Sequence, residues 1–200
     1  MQPPPDPPPP ASRAGFPYRR VNVVGTSAAG KTTFARALAA RLTVPHIELD
    51  ALHWERGWTE APAAVMRERV TRATDGEAWV VDGNYSAVRD IVWARAEAVV
   101  WLDFSLRTVL WRYAARTQRR IRSGEELWTG TGNRERLSMH LLSRDSLLWW
   151  ILSTYRRRRR EYPPLLAANP RLAAVHLRSA READAWLAAL DSIELARPSA

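Results

Sequence analysis

At 200 residues and 46% hydrophobic content, the chain suits one domain with an ordinary buried core. The absence of cysteine excludes a disulfide framework and thiolate metal sites, and His46, His53, His140 and His176 lack metal-binding spacing. A net charge of +9 permits a nucleic-acid partner without favouring one, because all but one of the 30 basic residues are arginine, which points to a bias of composition.

Residues 1–17 are dominated by proline and predict a disordered tail; they carry neither the basic region nor the apolar stretch of a secretory signal. A single domain is expected over 18–195. The longest helix-like apolar run, Leu147 to Leu152, is too short to cross a bilayer, so a cytoplasmic protein is expected.

The β-branched run Val21-Asn22-Val23-Val24 ends at a glycine and predicts a buried parallel strand. Helical spacing follows from Lys31 to Leu42, and His46 to Asp50 reads as a second strand that ends in a carboxylate. Pro62 opens a helix over Ala63 to Ala73, and Glu77 to Gly83 reads as the third strand. Ser86 to Ala94 is expected to be helical, Ala98 to Asp103 a fourth strand, and Ser105 the cap of a helix from Leu106 toward Arg122. A loop over Ser123 to Gly132 leads into a long helix expected from about Asn133 to Arg160, ending before Pro163-Pro164. Ala173 to Leu177 is the fifth strand, and Ser179-Ala180-Arg181-Glu182 is a capping box for the last helix. Strands alternating with helices predict an α/β fold, a parallel sheet covered on both faces.

Gly25-Thr26-Ser27-Ala28-Ala29-Gly30-Lys31-Thr32, followed by Thr33, satisfies G-x-x-x-x-G-K-[ST] between an apolar strand and a helix. In that setting successive backbone N–H groups converge on phosphate oxygens at the positive end of a helix. Lys31, the chain's one lysine, adds a mobile charge, and the Thr32 hydroxyl suits Mg²⁺. The expected ligand is ATP with Mg²⁺.

This motif resembles that of the small-molecule P-loop kinases, the group of nucleoside monophosphate kinases, shikimate kinase and gluconate kinase. With His46 to Trp54, Trp79 to Ser86, and Asp145 to Trp150 before the arginine run, the chain looks more closely like the adenylate-kinase-related proteins known in bacteria as DNA topology modulation (FlaR-type) proteins. The resemblance implies a five-stranded sheet of order 2-3-1-4-5, which puts Asp82 beside the phosphate loop as a metal carboxylate. Nucleoside monophosphate kinases read D-G-F-P-R here, where this chain reads Asp82-Gly83-Asn84-Tyr85-Ser86, with the next arginine at Arg89; a nucleotide acceptor is therefore in doubt. Gluconate-kinase-like enzymes place an acidic residue and a histidine after strand two, which matches Asp50 and His53. Asp50 fits a group that orients or deprotonates an acceptor hydroxyl or helps place the metal, and equally a capping aspartate. His53 suits substrate contact or loop packing, and Arg89 an anionic acceptor or a surface pair with Asp90 or Glu97. Asp103 ends another strand near a helix-cap position, and a structural role is preferred for it. The expected function is ATP-dependent transfer of the γ-phosphoryl group to a small-molecule acceptor; the alternatives are an adenylate or nucleoside monophosphate kinase and a DNA-acting, non-catalytic nucleotide binder.

The same resemblance implies an arginine-rich lid over about 119–136. Arg116, Arg119 and Arg120 are the candidates for stabilising charge on a transferring phosphoryl group, with solvated helix-end arginines as the alternative. Arg156 to Arg160 encircle a helix, so most should be solvated and one or two at most face phosphates. Trp149 and Trp150 are expected in the core.

Overall fold

The computed structural model describes residues 16–135 and 146–194, with side chains described as far as 190. In chain order the elements are β1 (Arg20–Gly25), α1 (Lys31–Leu42), β2 (His46–Glu48), α2 (Leu49–His53), β3 (Trp54–Glu55), β4 (Thr59–Glu60), α3 (Ala63–Ala73), β5 (Trp79–Asp82), α4 (Arg89–Arg95), β6 (Ala98–Leu102), α5 (Leu106–Ser123), α6 (Leu147–Ala167), β7 (Ala173–Leu177) and α7 (Ala180–Glu194). Five strands form a parallel sheet in the order β2-β5-β1-β6-β7, the expected 2-3-1-4-5 once the small antiparallel β3–β4 hairpin is set aside.

Alternate residues of each strand feed two apolar layers. Val21, Val23, Val80 and Val100 pack against Phe34 and Leu38 of α1, Val109 of α5 and Leu187 of α7. Val24, Trp79, Val81 and Trp101 pack against Met66 and Val70 of α3, Val92 of α4 and Tyr162 of α6. With both faces covered, the strands read as continuous apolar runs, which is why they were legible. The exception in β1 is Asn22: its amide donates to the carbonyls of Val81 (3.2 Å) and Gly83 (3.3 Å) and accepts from Trp93 Nε1 (3.0 Å), so all its polarity is used in tying β1 to β5 and α4.

The structure corrects several expectations. The second strand stops at Glu48 and Asp50 lies on α2, because the chain turns into a helix as it leaves the sheet edge. The helix expected from Asn133 does not begin there. Asn133 lies outside any helix or strand and is pinned, accepting from Trp58 N (2.9 Å) and donating to Glu55 O (2.8 Å), which holds the loop on the β3–β4 hairpin. Residues 136–145 of that expected helix lie outside the described residues, as do residues 1–15 of the expected tail; Phe16 packs edge-on against Trp186 at 5.0 Å. Helix α6 continues through Pro163 and Pro164 to Ala167. Trp149 and Trp150 are not core residues: they are 52% and 48% exposed. The inward stripe of α6 is Ile151, Thr154, Tyr155, Arg158, Tyr162 and Leu166, so a contiguous apolar run necessarily wraps half its length to the outside. Among the described residues no helix is long and apolar enough to cross a membrane.

Candidate active site

At the carboxyl ends of the strands lies a cleft of about 2140 Å³, roomier than a single small-molecule pocket. Its floor is the segment Gly25 to Thr33, between β1 and α1. Gly25 has φ +152°, and a Cβ there would stand 2.6 Å from the Leu102 carbonyl oxygen, so only glycine lets β1 leave the sheet beside β6. Ala28 and Gly30 also take positive φ, and Ala29 N donates to Thr26 O at 3.1 Å, closing the loop on itself. Ser27, Ala28, Gly30, Lys31, Thr32 and Thr33 line the cleft, while Thr26 and Ala29 are buried in the turn.

Arginines hold this loop by its carbonyls. Arg112 Nη1 donates to Ala29 O while its guanidinium lies 5.0 Å over the Phe104 ring. Arg158 Nη1 donates to Gly25 O at 3.1 Å. With the Asn84 amide turned to suit its neighbours, its nitrogen donates to Gly25 O (2.9 Å) and its oxygen accepts from the Arg158 guanidinium (2.8 to 3.1 Å). Arg116 and Arg119 line the cleft. Arg120 pairs with Glu135 at 2.7 Å, tying the end of α5 to the loop after it. Burial disfavours the charged form of Arg116, with Arg120 adding repulsion, and burial does the same to Arg158.

Lys31 Nζ donates to Thr26 O at 3.3 Å. Burial, then Arg158, lower its pKa from the ordinary value to about 8, against the opposing pull of Asp50 and Asp82. Below about pH 8 the ammonium is already charged; above it, an arriving triphosphate favours the charged form and draws a proton in. Calorimetry in two buffers of different ionisation enthalpy is therefore expected to show about one proton taken up per nucleotide at roughly pH 9 and little at roughly pH 7, with affinity falling as pH rises. Equal uptake at both values would remove Lys31 from the phosphate site.

Across the cleft, Asp50 accepts from the Tyr85 hydroxyl at 2.6 Å, and Tyr85 packs on His53 with ring centroids 4.6 Å apart. Burial and the Asp50 charge together push the Tyr85 hydroxyl far above its ordinary pKa, so it stays a donor. His53 lines the same wall, 3.8 Å from Glu60. Arg89 also lines the cleft, with its guanidinium 5.8 Å over Trp93. Neither surface partner considered for it is used: Asp90 pairs with Arg67 and Glu97 with Arg20. Asp82 is 2% exposed behind Lys31, with Oδ2 taken by His46 Nε2 at 2.9 Å. Asp103 is structural, held by Arg159 and His176.

Among the described residues no group of three His, Cys, Asp or Glu side chains is placed to hold a metal. Of the two residues expected at the metal, Thr32 lines the cleft, whereas Asp82 is not among the lining residues: it is 2% exposed and one of its oxygens is taken by His46. A lone hydroxyl fits only an ion such as Mg²⁺, which keeps its waters and travels on phosphate oxygens.

Three-dimensional comparison supplies the fold's relatives. A shikimate kinase from Bacteroides thetaiotaomicron superposes with a TM-score of 0.53 over 89% of this chain and 99% of its own, at 17% identity. The fold is that of the P-loop small-molecule kinases. A shikimate kinase from Acinetobacter baumannii, solved with shikimate, gives a TM-score of 0.53, 17% identity and coverage of 92% and 97%. The shikimate kinase of Aquifex aeolicus gives 0.50, 15%, 89% and 99%. No protein-family model matches the sequence, and no curated protein matches it.

Sequence reasoning missed Arg112, Asn84 and Tyr85 as members of the site, and expected one or two of Arg156 to Arg160 there without saying which; the structure brings Arg158 to the cleft. Arg158 was recoverable: it falls seven residues after Ile151 and four before Tyr162, on the inward stripe. Asn84 and Tyr85 follow the strand-end Asp82 directly, in a stretch that differs from the nucleotide-kinase pattern. Arg112 carries no such local mark.

Proposed function

We propose that the chain is an ATP-dependent phosphotransferase that moves the γ-phosphoryl group to a hydroxyl of a small acceptor. What supports this is that Lys31 and Asp50 line one cleft, the first where the turn after β1 enters α1 and the second on α2. The main-chain amides from Ser27 to Thr32 bind the β- and γ-phosphates, and Lys31 neutralises charge on the transferring group. Thr32 and Asp82 would hold Mg²⁺, Asp82 through water; when bound, the ion supplies charge neutralisation and fixes the phosphate geometry. Asp50, oriented by Tyr85, takes the proton as the acceptor oxygen bonds to phosphorus and the bond to the β,γ-bridging oxygen breaks, leaving ADP. Arg116, Arg119 and Arg120 sit on the segment that covers the phosphates and stabilise the equatorial oxygens. His53 and Arg89 contact the acceptor. Kinship with the adenylate-kinase-related, FlaR-type proteins is supported by the sequence motifs alone.

The test is ADP release by the purified protein across hydroxyl, nucleoside and nucleotide acceptors. At least one non-nucleotide hydroxyl compound should stimulate release, and Asp50→Asn should lower the stimulated rate on the order of a hundredfold with ATP affinity retained. Intact ATP binding beside a flat panel would sink the proposal, as would AMP as the sole effective acceptor.

A further inference from the structure

The lining of the cleft differs from one part to another. The phosphate half is held by Lys31, Arg112, Arg116 and Arg158, whereas the half beyond Asp50 is aromatic and acidic. Trp54 and Trp58 meet edge to face with centroids 5.7 Å apart, and Trp58 and Trp128 do so at 5.8 Å. The far end of this indole wall is pinned by Trp128 Nε1, which donates to Glu48 at 3.1 Å.

Three carboxylates share the bay. Glu48 is pushed toward its neutral form by burial first, then by Asp82, with Asp50 adding to the crowding. Asp50 and Glu60 both act on the Tyr85 hydroxyl, which places them in one neighbourhood. Asp50 also faces Lys31, Arg116 and Arg158, so the weakly compensated carboxylates of the bay are Glu48, whose partner Arg36 is 67% exposed at 3.4 Å, and Glu60, whose basic partner is His53 at 3.8 Å. His53, only 9% exposed, lines the bay with Nδ1 lacking a hydrogen-bond partner. An anionic acceptor is repelled by this arrangement, and a neutral polyol needs rings and hydrogen bonds but no such concentration of negative charge. A cation against indole faces, flanked by carboxylates, answers both features.

We propose that the acceptor is a hydroxyl-bearing ammonium compound, its cationic nitrogen held between the Glu48 and Glu60 carboxylates and the Trp54–Trp58–Trp128 wall while its hydroxyl meets Asp50. This rests on reading the cleft as a kinase site. The protonated or quaternary nitrogen has no free electron pair, so the hydroxyl oxygen forms the new bond to the γ-phosphorus. The β,γ-bridging oxygen leaves with its electron pair on ADP, and Asp50 receives the hydroxyl proton.

The experiment is calorimetric titration, in the presence of a non-hydrolysable ATP analogue and Mg²⁺, of matched compounds: choline against 3,3-dimethylbutan-1-ol, and glucosamine against glucose and gluconate. At least one amine should bind on the order of tenfold tighter than its uncharged counterpart, with gluconate weakest. Glu48→Gln with Glu60→Gln should bring that ratio close to one. Glu60→Gln alone, at an exposed hairpin position, should lower it part-way should the double variant fail to fold. Amines that bind no tighter than their isosteres, gluconate binding best, or a preference that survives the substitutions would overturn the proposal. ADP release measured in parallel separates the two claims. Amine preference without turnover rejects the kinase reading and keeps the ligand class, whereas turnover of glucose or gluconate alone does the reverse.

Discussion

Lys31→Met is expected to lower kcat/KM for phosphoryl transfer by at least about a thousandfold, roughly 4 kcal/mol of transition-state stabilisation. Methionine keeps the length and volume of the stem and removes the charge proposed to meet the γ-phosphate. ATP affinity should fall less, on the order of tenfold, because the main-chain amides of the turn and the Arg116 and Arg158 guanidinia remain. The same substitution should leave Tm unchanged or raise it near neutral pH. The ammonium is buried with its pKa lowered to about 8, so below that pH the fold carries a charge it disfavours relative to the unfolded chain, and an apolar side chain removes that penalty. Loss of activity with retained or increased stability identifies a functional charge. Thermal denaturation and steady-state kinetics on one preparation check both arms; a Tm well below that of the unmodified chain would mean that Lys31 is structural.

How much of this was legible in advance depended on how local each signal is. The turn from Gly25 to Thr33 was readable because its backbone conformation, its glycines and its flanking strand and helix are all specified within about fifteen residues. The strands were readable because burial on both faces leaves each an uninterrupted apolar run. Strand order followed only from resemblance, since nothing in Val21 to Val24 states which neighbours it pairs with. The acceptor side was the least legible. Asp50 was singled out as a strand end, yet its environment is made by Tyr85, 35 residues on. Trp128 reaches back 80 residues to Glu48. The β3–β4 hairpin of two-residue strands carries no periodicity at all, and is held by Asn133 from 78 residues away. Trp149 and Trp150 misled for a related reason: hydrophobicity gives the amount of apolar surface on a helix, and only the packed neighbours determine which residues turn inward.

The turn after β1 and the Asp50 wall of the cleft are joined mechanically by β5, which carries Asp82 and leads into Asn84 and Tyr85. Asn84 touches the Gly25 carbonyl, and Tyr85 touches Asp50. Displacement of this strand end would therefore move both halves of the cleft together. Asn22, bonded to Val81 O and Gly83 O, fixes its register against β1.

Trp79→Ala should cost about 4 kcal/mol of stability, the largest loss expected from a single truncation in this fold. Trp79 begins β5, is 1% exposed, and packs with Val70, Val81 and Val99 between the sheet and α3. Its removal combines a large cavity with a broken hydrogen bond, because Trp79 Nε1 donates to Thr74 O at 3.2 Å. Thr74 is itself the junction where α3 ends: its hydroxyl donates to Val70 O at 2.8 Å and accepts from Arg95 at 2.9 Å. Trp79→Phe separates the contributions, since it retains most of the ring volume while leaving the Thr74 carbonyl short of a donor. Its expected loss is about 1–2 kcal/mol. For a domain of this length the alanine variant should lower Tm by roughly 8–16 °C. The remaining folded protein should still bind nucleotide with the proton uptake of Lys31, because Trp79 lies at the opposite end of β5 from Asp82. Chemical denaturation with and without saturating ATP·Mg²⁺ measures both quantities. Equal stability losses for the phenylalanine and alanine variants would show that the hydrogen bond to Thr74, not packing, holds α3 to the sheet.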